Sequence, residues 1–375
     1  MGLYTVGIDP CADATCKDCV DAFEVVPGQD YEGHCAVVEK YGIDAIVTAA
    51  TDKPIVMMAR IAEKYGFPFY SVETAKWSTD KFQMKERFEL GGVPHAQGRL
   101  ISRAEEADGL VFPVIVKPRD NSGSRGVKLC RSKEELEASM NEALEVSKLD
   151  TVLVEEFIEG PEYSIESLHY TANCQQPTAK VIQFTEKKTT EFPYNVELGH
   201  IQPANISEES QQKIREIISK IGKALNFVNC PSHTELKIND RGIFVIETSP
   251  RLGGDYITST LTPLSTEVNL EDELLKISLG ETINPQPKVV QYSGVRFFAF
   301  QEGSMIKHVP NEEFVKGWPH VVDFSFNLQK GEKVHQITSS LNRYGHITLI
   351  AGNRESIDDT FEKYEKAILE KCLND

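Results

Sequence analysis

Two hydrophobic rhythms run along the chain. Short apolar runs at 3–8, 43–49, 112–118 and 152–158 predict strands, and the run at 43–49 reads as a buried one. Residues 31–41, 53–65, 132–146 and 207–226 suit helices instead. Ile55, Met58, Ile61 and Ala62 stand near helical spacing, and Ile214, Ile217, Ile218, Ile221 and Leu225 fall on one side of the longer segment. Residues 79–92 predict a helix that Thr79 or Asp80 can cap and Gly91-Gly92 can end. A further helix is expected over 262–280. After a linker at 285–287, strands are expected at 295–300, 304–309, 321–328 and 346–351, and a closing helix at 355–371. Alternating strands and helices at the start imply a parallel, doubly wound sheet. That unit starts late, with no strand or glycine-rich turn before Gly2. Either the start lies inside a longer gene, or the sheet lacks its usual first strand and helix. The fold class is therefore α/β and α+β multidomain, with units at 1–78, 79–284 and 285–375.

The stretch at 233–254 organises the candidate chemistry. Two apolar strands flank a turn at Asn239-Asp240-Arg241-Gly242, which predicts a β-hairpin. Alternation puts Glu235 and Lys237 on one face, Leu236 and Ile238 on the other, and gives Val245 and Glu247 a shared face. One carboxylate on each arm can close on a single hard cation. Ser249 and Arg251 follow Glu247 at steps of two, so a metal and an anion could meet there. A solvated hairpin with charged faces remains the plainer alternative.

Three other stretches carry polar chemistry. Lys81 and Lys85 stand four apart on one helical face. The strand at 112–118 ends in Lys117 and leads into Asn121-Ser122-Gly123-Ser124-Arg125-Gly126, whose small residues let backbone N–H groups approach phosphate oxygens. This is not a P-loop, because no Gly-Lys-Ser/Thr opens a helix after it. The stretch at 152–163 reads as a buried strand that breaks into an extended segment, which can offer its backbone to a purine edge, with Phe157 and Ile158 as apolar neighbours. A long polar excursion from 186 to 193, followed by Glu197-Leu198-Gly199-His200, has the length of a lid. Taken singly, these also read as solvated lysines, a flexible loop, an ordinary strand and a structural histidine.

Charge and cysteines narrow the class. The chain of 375 residues carries a formal net charge of −17. No basic stripe of a nucleic-acid binder is visible. No run of 18 apolar residues, secretory signal or lipidation motif appears, so a cytoplasmic protein with neither nucleic acid nor membrane as partner is expected. Cys11, Cys16, Cys19 and Cys35 include one C-x-x-C and could hold zinc. The second C-x-x-C of such sites is missing, and free thiols are the alternative.

Together the strand–lysine–glycine loop, the hinge and the acidic hairpin resemble the ATP-grasp ligase superfamily, in its order and over essentially the whole chain. The resemblance is to the biotin-carboxylase and carbamoyl-phosphate-synthetase-like branch, since twelve residues separate Glu235 from Glu247. It implies a truncated Rossmann-like pre-ATP-grasp domain (1–78), a two-lobed ATP-grasp domain (79–284) and a biotin-carboxylase-like α+β domain (285–375). It further implies ATP and Mg2+ (or Mn2+) as cofactors. Lys81 or Lys85 and Lys117 would contact phosphates, and Ser122, Gly123, Ser124 and Gly126 would cover them. Glu155, Glu156, Phe157 and Ile158 would hold adenine, Glu162 the ribose, and Glu235 and Glu247 the metal. Ser249 stands where the family's Glu-x-Asn-x-Arg pattern has asparagine, and its hydroxyl is a weaker neutral ligand.

Within the superfamily, Glu186-Lys187-Lys188-Thr189-Thr190, Glu197-Leu198-Gly199-His200-Ile201-Gln202-Pro203 and Arg251-Leu252-Gly253-Gly254-Asp255 look like the L-amino acid ligases. The implied reaction joins a small-molecule carboxylate to an amine through an acyl phosphate. Arg251 would hold the carboxylate and the oxyanion, while His200 or Glu197 would orient or deprotonate the amine. A carboxylase, a nucleotide-precursor ligase similar to glycinamide ribonucleotide synthetase, and a non-catalytic ATP-binding protein are the alternatives. The family often dimerises, so a homodimer is a further expectation.

Overall fold

A computed structural model describes residues 2–121, 123–171, 177–192 and 194–374. At the N-terminal end β1 (Val6–Asp9) and β2 (Ala22–Val25) form a two-stranded parallel sheet. Helices α1 (Tyr31–Tyr41), α2 (Ile55–Tyr65) and α3 (Val72–Thr79) follow. The expected strand at 43–49 is absent. The segment pairs with no strand and Val47 is exposed, while β1 and β2 pair only with each other. Helix α3, which apolar spacing does not announce, starts where the Ser71 hydroxyl accepts from the Thr74 amide.

Helix α4 (Lys81–Gly91) leads into a four-stranded antiparallel sheet. Its strands are β3 (Gly98–Ile101), β4 (Val114–Pro118), β5 (Lys128–Cys130) and β6 (Val152–Glu156), in the order β3-β6-β4-β5. Helix α5 (Lys133–Glu145) covers it with Leu136, Met140 and Ala143.

The larger sheet has eight strands. Its first half uses β7 (Glu162–Thr171), β8 (Pro177–Thr189), β9 (Glu197–Gln202), β10 (Cys230–Asn239) and β11 (Gly242–Ser249), with α6 (Glu208–Ala224) behind. The isoleucines of α6 pack with Phe88 and Met84 of α4 against Ile165, Leu236 and Val245. Fully burying each such side chain contributes roughly 1.5–3 kcal/mol. A single helix over 262–280 is not formed. A π-helical turn at Ile257–Leu261 runs into α7 (Thr262–Thr266), which stops at Glu267 with φ +62°, and Asn269 caps a separate α8 (Leu270–Ser278).

After 285–287 come β12 (Tyr292–Phe297), α9 (Glu312–Lys316), β13 (Val321–Phe326), β14 (Gly345–Ala351) and α10 (Arg354–Leu373). Residues 304–309 form no strand; only Met305 bridges to Lys333. The sheet does not stop at the linker. β12 pairs antiparallel with β9, giving the order β11-β10-β7-β8-β9-β12-β14-β13. The free edge of β9 is thereby covered, which leaves fewer unpaired backbone groups. Among the described residues no helix is long and apolar enough to cross a membrane.

The hairpin departs from plain alternation at one residue. Glu235 pairs with Glu247 but Leu236 pairs with Val245, so Ile246 is the extra residue of a β-bulge. Val245 therefore joins Leu236 in the core, and Glu247 faces the same way as Glu235. The expected shared face of Val245 and Glu247 is corrected by this bulge.

Asp80 fixes the start of α4, accepting from the amides of Phe82 and Gln83 at 3.0 and 3.3 Å while pairing with Arg119. Asp80→Ala should lower unfolding stability by about 1–2 kcal/mol, the size of a lost cap. Asp80→Asn, which keeps an acceptor, should cost less. Urea midpoints of the two variants check this.

Candidate active site

Asp80 orients the first turn of α4 so that Lys81 and Lys85 point at the sheets. Glu155 on β6 is 2% exposed and lies between two ammonium groups, 2.8 Å from Lys85 Nζ and 2.5 Å from Lys117 Nζ. Burial works to raise the Glu155 pKa, but the two lysines outweigh it and hold the carboxyl below its ordinary value. Burial prevails at Lys85, whose pKa is lowered. Lys85 also donates to the carbonyl of Ile246, the bulge residue, at 3.1 Å. Glu155 is thus the shared counter-ion of Lys85 and Lys117. Beyond it, Glu156 meets Arg241 at 3.3 Å, Phe157 stacks edge-on against Phe192, and Ile158 is buried.

The acidic hairpin meets its cations on the other side. Lys81 Nζ lies 2.7 Å from Glu247, and burial notwithstanding, that carboxylate raises the lysine pKa. Lys187, on β8, reaches Glu162 at 2.6 Å, Glu235 at 2.9 Å and Glu197 at 3.4 Å. Burial would lower the Lys187 pKa, yet the ring of carboxylates drives it well above its ordinary value. Glu235 is held well below its own, since Lys187 and His233 overcome burial. His233 bonds through Nδ1 to Glu166 at 2.7 Å and approaches Glu235 through Nε2 at 3.4 Å. Its pKa rises to about 9, because Glu166 outweighs burial.

Two facing glutamates suit a hard divalent ion that keeps several waters and takes phosphate oxygens for the rest. The donors are oxygens, both remain partly accessible, and each already attracts a cation in Lys81 or Lys187. Ser249 does not join them. Its hydroxyl donates to Asp52 at 2.5 Å, and Arg251 makes a two-pronged pair with the same carboxylate at 2.9 and 3.0 Å. Burial would raise the Asp52 pKa, but Arg251 lowers it overall.

His200 and Glu197 share β9 but part company. Glu197 turns to Lys187, whereas the His200 ring is buried, with Nε2 3.5 Å from Asp255. In the glycine loop Gly123, Ser124 and Gly126 have φ of +69°, +56° and +75°. A Cβ on Gly126 would lie 2.9 Å from the Val146 side chain, so glycine is required there. Lys81 donates to the Asn121 carbonyl at 3.0 Å and ties that loop to α4. Ser122 lies outside the described residues. Cys11, Cys16 and Cys19 are exposed and Cys35 is buried. Among the described residues no three side chains of histidine, cysteine, aspartate or glutamate converge as a metal cluster.

Sequence reasoning missed Lys187, Asp52 and the Glu166–His233 pair as site residues. Lys187 falls in the stretch expected as a polar excursion from 186, but the structure carries β8 through to Thr189 and buries the lysine on it. Asp52 had none, since it sits in a connection and meets its partners 197 and 199 residues away.

Residues 110–259 match the ATP-grasp domain family. An uncharacterised protein, y4rH of Sinorhizobium fredii, is 24% identical over 330 residues, covering 86% of this chain and 67% of that protein. Alanine–anticapsin ligase of Bacillus subtilis is 28% identical over 239 residues, 58% of this chain and 50% of its own length. The match thus spans half the length of that ligase. The crystal structure of an L-amino acid ligase from Bacillus licheniformis superposes with a TM-score of 0.80 at 21% identity, covering 93% of this chain and 86% of that one. That likeness is one of fold.

The charged His233 carries a pH signature. Its folded pKa near 9 exceeds its ordinary 6.5, so its stabilisation is complete below about 6.5 and is lost as pH rises through about 9. Stability should fall by on the order of 2–3 kcal/mol across that window. Denaturant titrations at pH 6 and pH 9.5 check this, and His233→Asn should flatten the difference.

Proposed function

We propose that this chain, which carries an ATP-grasp domain, is a cytoplasmic ATP- and magnesium-dependent ligase that joins a carboxylate to an amine, acting on amino acid-like substrates. The bulge that turns Glu247 onto Glu235, within reach of Lys81 and Lys187, carries the reading. Residues 1–78, 79–284 and 285–375 serve as a Rossmann-like pre-ATP-grasp unit, the ATP-grasp unit and an α+β unit whose strands extend the large sheet. A homodimer is the proposed assembly.

Adenine lies against the backbone at 156–158 with Phe157 and Ile158 beside it, and Glu162 takes the ribose. Lys85 and Lys117, held by Glu155, face the phosphates, and the loop at 122–126 covers them with Lys81 nearby. Glu235 and Glu247 would hold magnesium, which would supply charge neutralisation to the triphosphate. Arg251, poised by Asp52, receives the substrate carboxylate. One carboxylate oxygen attacks the γ-phosphorus, the bond to the β-phosphate oxygen breaks, and an acyl phosphate and ADP result. The amine then attacks the acyl carbon, inorganic phosphate departs with the bonding pair, and the ammonium proton passes to Glu197. His200 acts behind Asp255 as a positioning residue, since its buried ring does not face the reacting atoms. Ser249 works through Asp52. The connection between β8 and β9 excludes water, to which an acyl phosphate is vulnerable.

The test is phosphate release from ATP and magnesium across pairs of amino acids and amines, with products named by mass spectrometry. Release should require both partners. Glu247→Ala should lower kcat at least 100-fold, a loss of about 3 kcal/mol in transition-state stabilisation. Release with bicarbonate or a ribonucleotide amine instead, or nucleotide binding without turnover for any pair, would overturn the proposal.

A further inference from the structure

Next to Asp255 lies a cavity of about 550 Å3, a size that suits a small organic ligand. It opens between the 253–259 segment and the ends of β12 and β14. Three rings form a wall. Tyr256 stacks on His346 at 4.3 Å between centroids, and Phe297 stands 6.3 and 6.2 Å from them. Asp255 and Tyr256 hold φ of +52° and +66°, and a π-helical turn follows. A left-handed tyrosine is strained backbone, and such strain clusters at functional sites.

The charge state of the walls is specific. Among the described residues Arg343 is the one arginine or lysine on the lining, and four of its five N–H donors are committed. Nη1 and Nη2 grip Asp255 at 2.7 and 2.6 Å, Nη1 also reaches the Glu197 carbonyl at 3.2 Å, and Nε donates to the Ser340 carbonyl at 2.9 Å. One face of the guanidinium rests on Phe297, 3.6 Å from its centroid. Burial would raise the Asp255 pKa, but the hydrogen bonds from Arg343 and the approach of the His200 ring at 3.5 Å hold it low, so it stays ionised. His346 bonds to Ser325 at 2.9 Å and Asp323 at 3.1 Å. Burial, with repulsion from Arg343 and Lys316, prevails over Asp323 and lowers its pKa, which leaves the ring neutral near pH 7. Glu271 adds a second carboxylate. Among the described residues the lining therefore carries two anions, one cation already paired with Asp255, hydroxyls and π faces. Among the described residues of the lining an incoming carboxylate or phosphate would meet no cation that lacks a carboxylate partner, whereas an ammonium would meet both carboxylates and ring faces.

We propose that this cavity is the binding site of the amine substrate and that it selects a polar amine without a carboxylate or phosphate of its own. The inference rests on the ligase reading above. The Arg343 bond to the Glu197 backbone connects cavity and reaction centre: an amine seated between Asp255 and the rings has its nucleophilic nitrogen toward Glu197.

The experiment is phosphate release at saturating ATP and carboxylate with matched amines: an amino acid, its amide, the corresponding amino alcohol, a diamine and a phosphorylated amino alcohol. The amide, amino alcohol and diamine should exceed the free amino acid and the phosphorylated amine at least tenfold in kcat/KM. Glu271→Gln should raise the KM for the diamine at least threefold. If the free acid or phosphorylated amine reacts as well as the amide, the selectivity falls while the ligase reading stands. If no amine supports release, the ligase reading falls. Calorimetric binding of the diamine with a non-hydrolysable ATP analogue then decides the cavity by itself: binding abolished in Tyr256→Ala sustains it, and absent or unaltered binding overturns it.

Discussion

A charge taken out of water must find its opposite, and that constraint organises this molecule. Glu155 sits between Lys85 and Lys117, and Lys187 sits among Glu162, Glu235 and Glu197. Neither cluster would survive the loss of a member cheaply. An unpaired buried charge costs roughly 3–5 kcal/mol. On the proposed function the arrangement would also prepare the site, because ammonium groups already held in place by carboxylates need little reorganisation when an anion arrives. Lys81 and Lys187 each neutralise one of the facing glutamates, so a divalent ion entering there replaces existing attractions rather than creating a site anew.

The sheets bring these clusters together. The four-stranded sheet supplies Lys117 and Glu155, and the eight-stranded sheet supplies Glu162, Lys187, Glu197, Glu235 and Glu247. Helix α4 spans the gap with Lys85 on one cluster and Lys81 on the other. A single bulge residue, Ile246, serves both: its insertion turns Glu247 toward Glu235, and its carbonyl accepts from Lys85. The pairing of β12 with β9 then sets the 340–346 segment over the same region, which is how Arg343 meets Asp255 and the Glu197 backbone.

Local order was legible wherever a rule acts within a few residues. The isoleucines of α6, the Asp80 cap and the turn at 239–242 each announce their element, and so do the acidic hairpin and the glycine loop. The errors share one cause. The run at 43–49 has a strand's composition but pairs with no strand. The segment at 262–280 is helical by pattern but broken at Glu267. Ser249 keeps step with Glu247 in spacing yet turns to Asp52.

The residue order by itself determined the elements, the acidic and basic stretches and their succession, because propensity, capping and periodicity are short-range effects. Only the tertiary structure decided which charge answers which. Asp52 reaches Arg251 and Lys187 reaches Glu235 across many residues of chain, and the bulge at Ile246 shifts a face that alternation had assigned. A buried ion takes its partner from whatever element packs over it, and no local pattern encodes that neighbour.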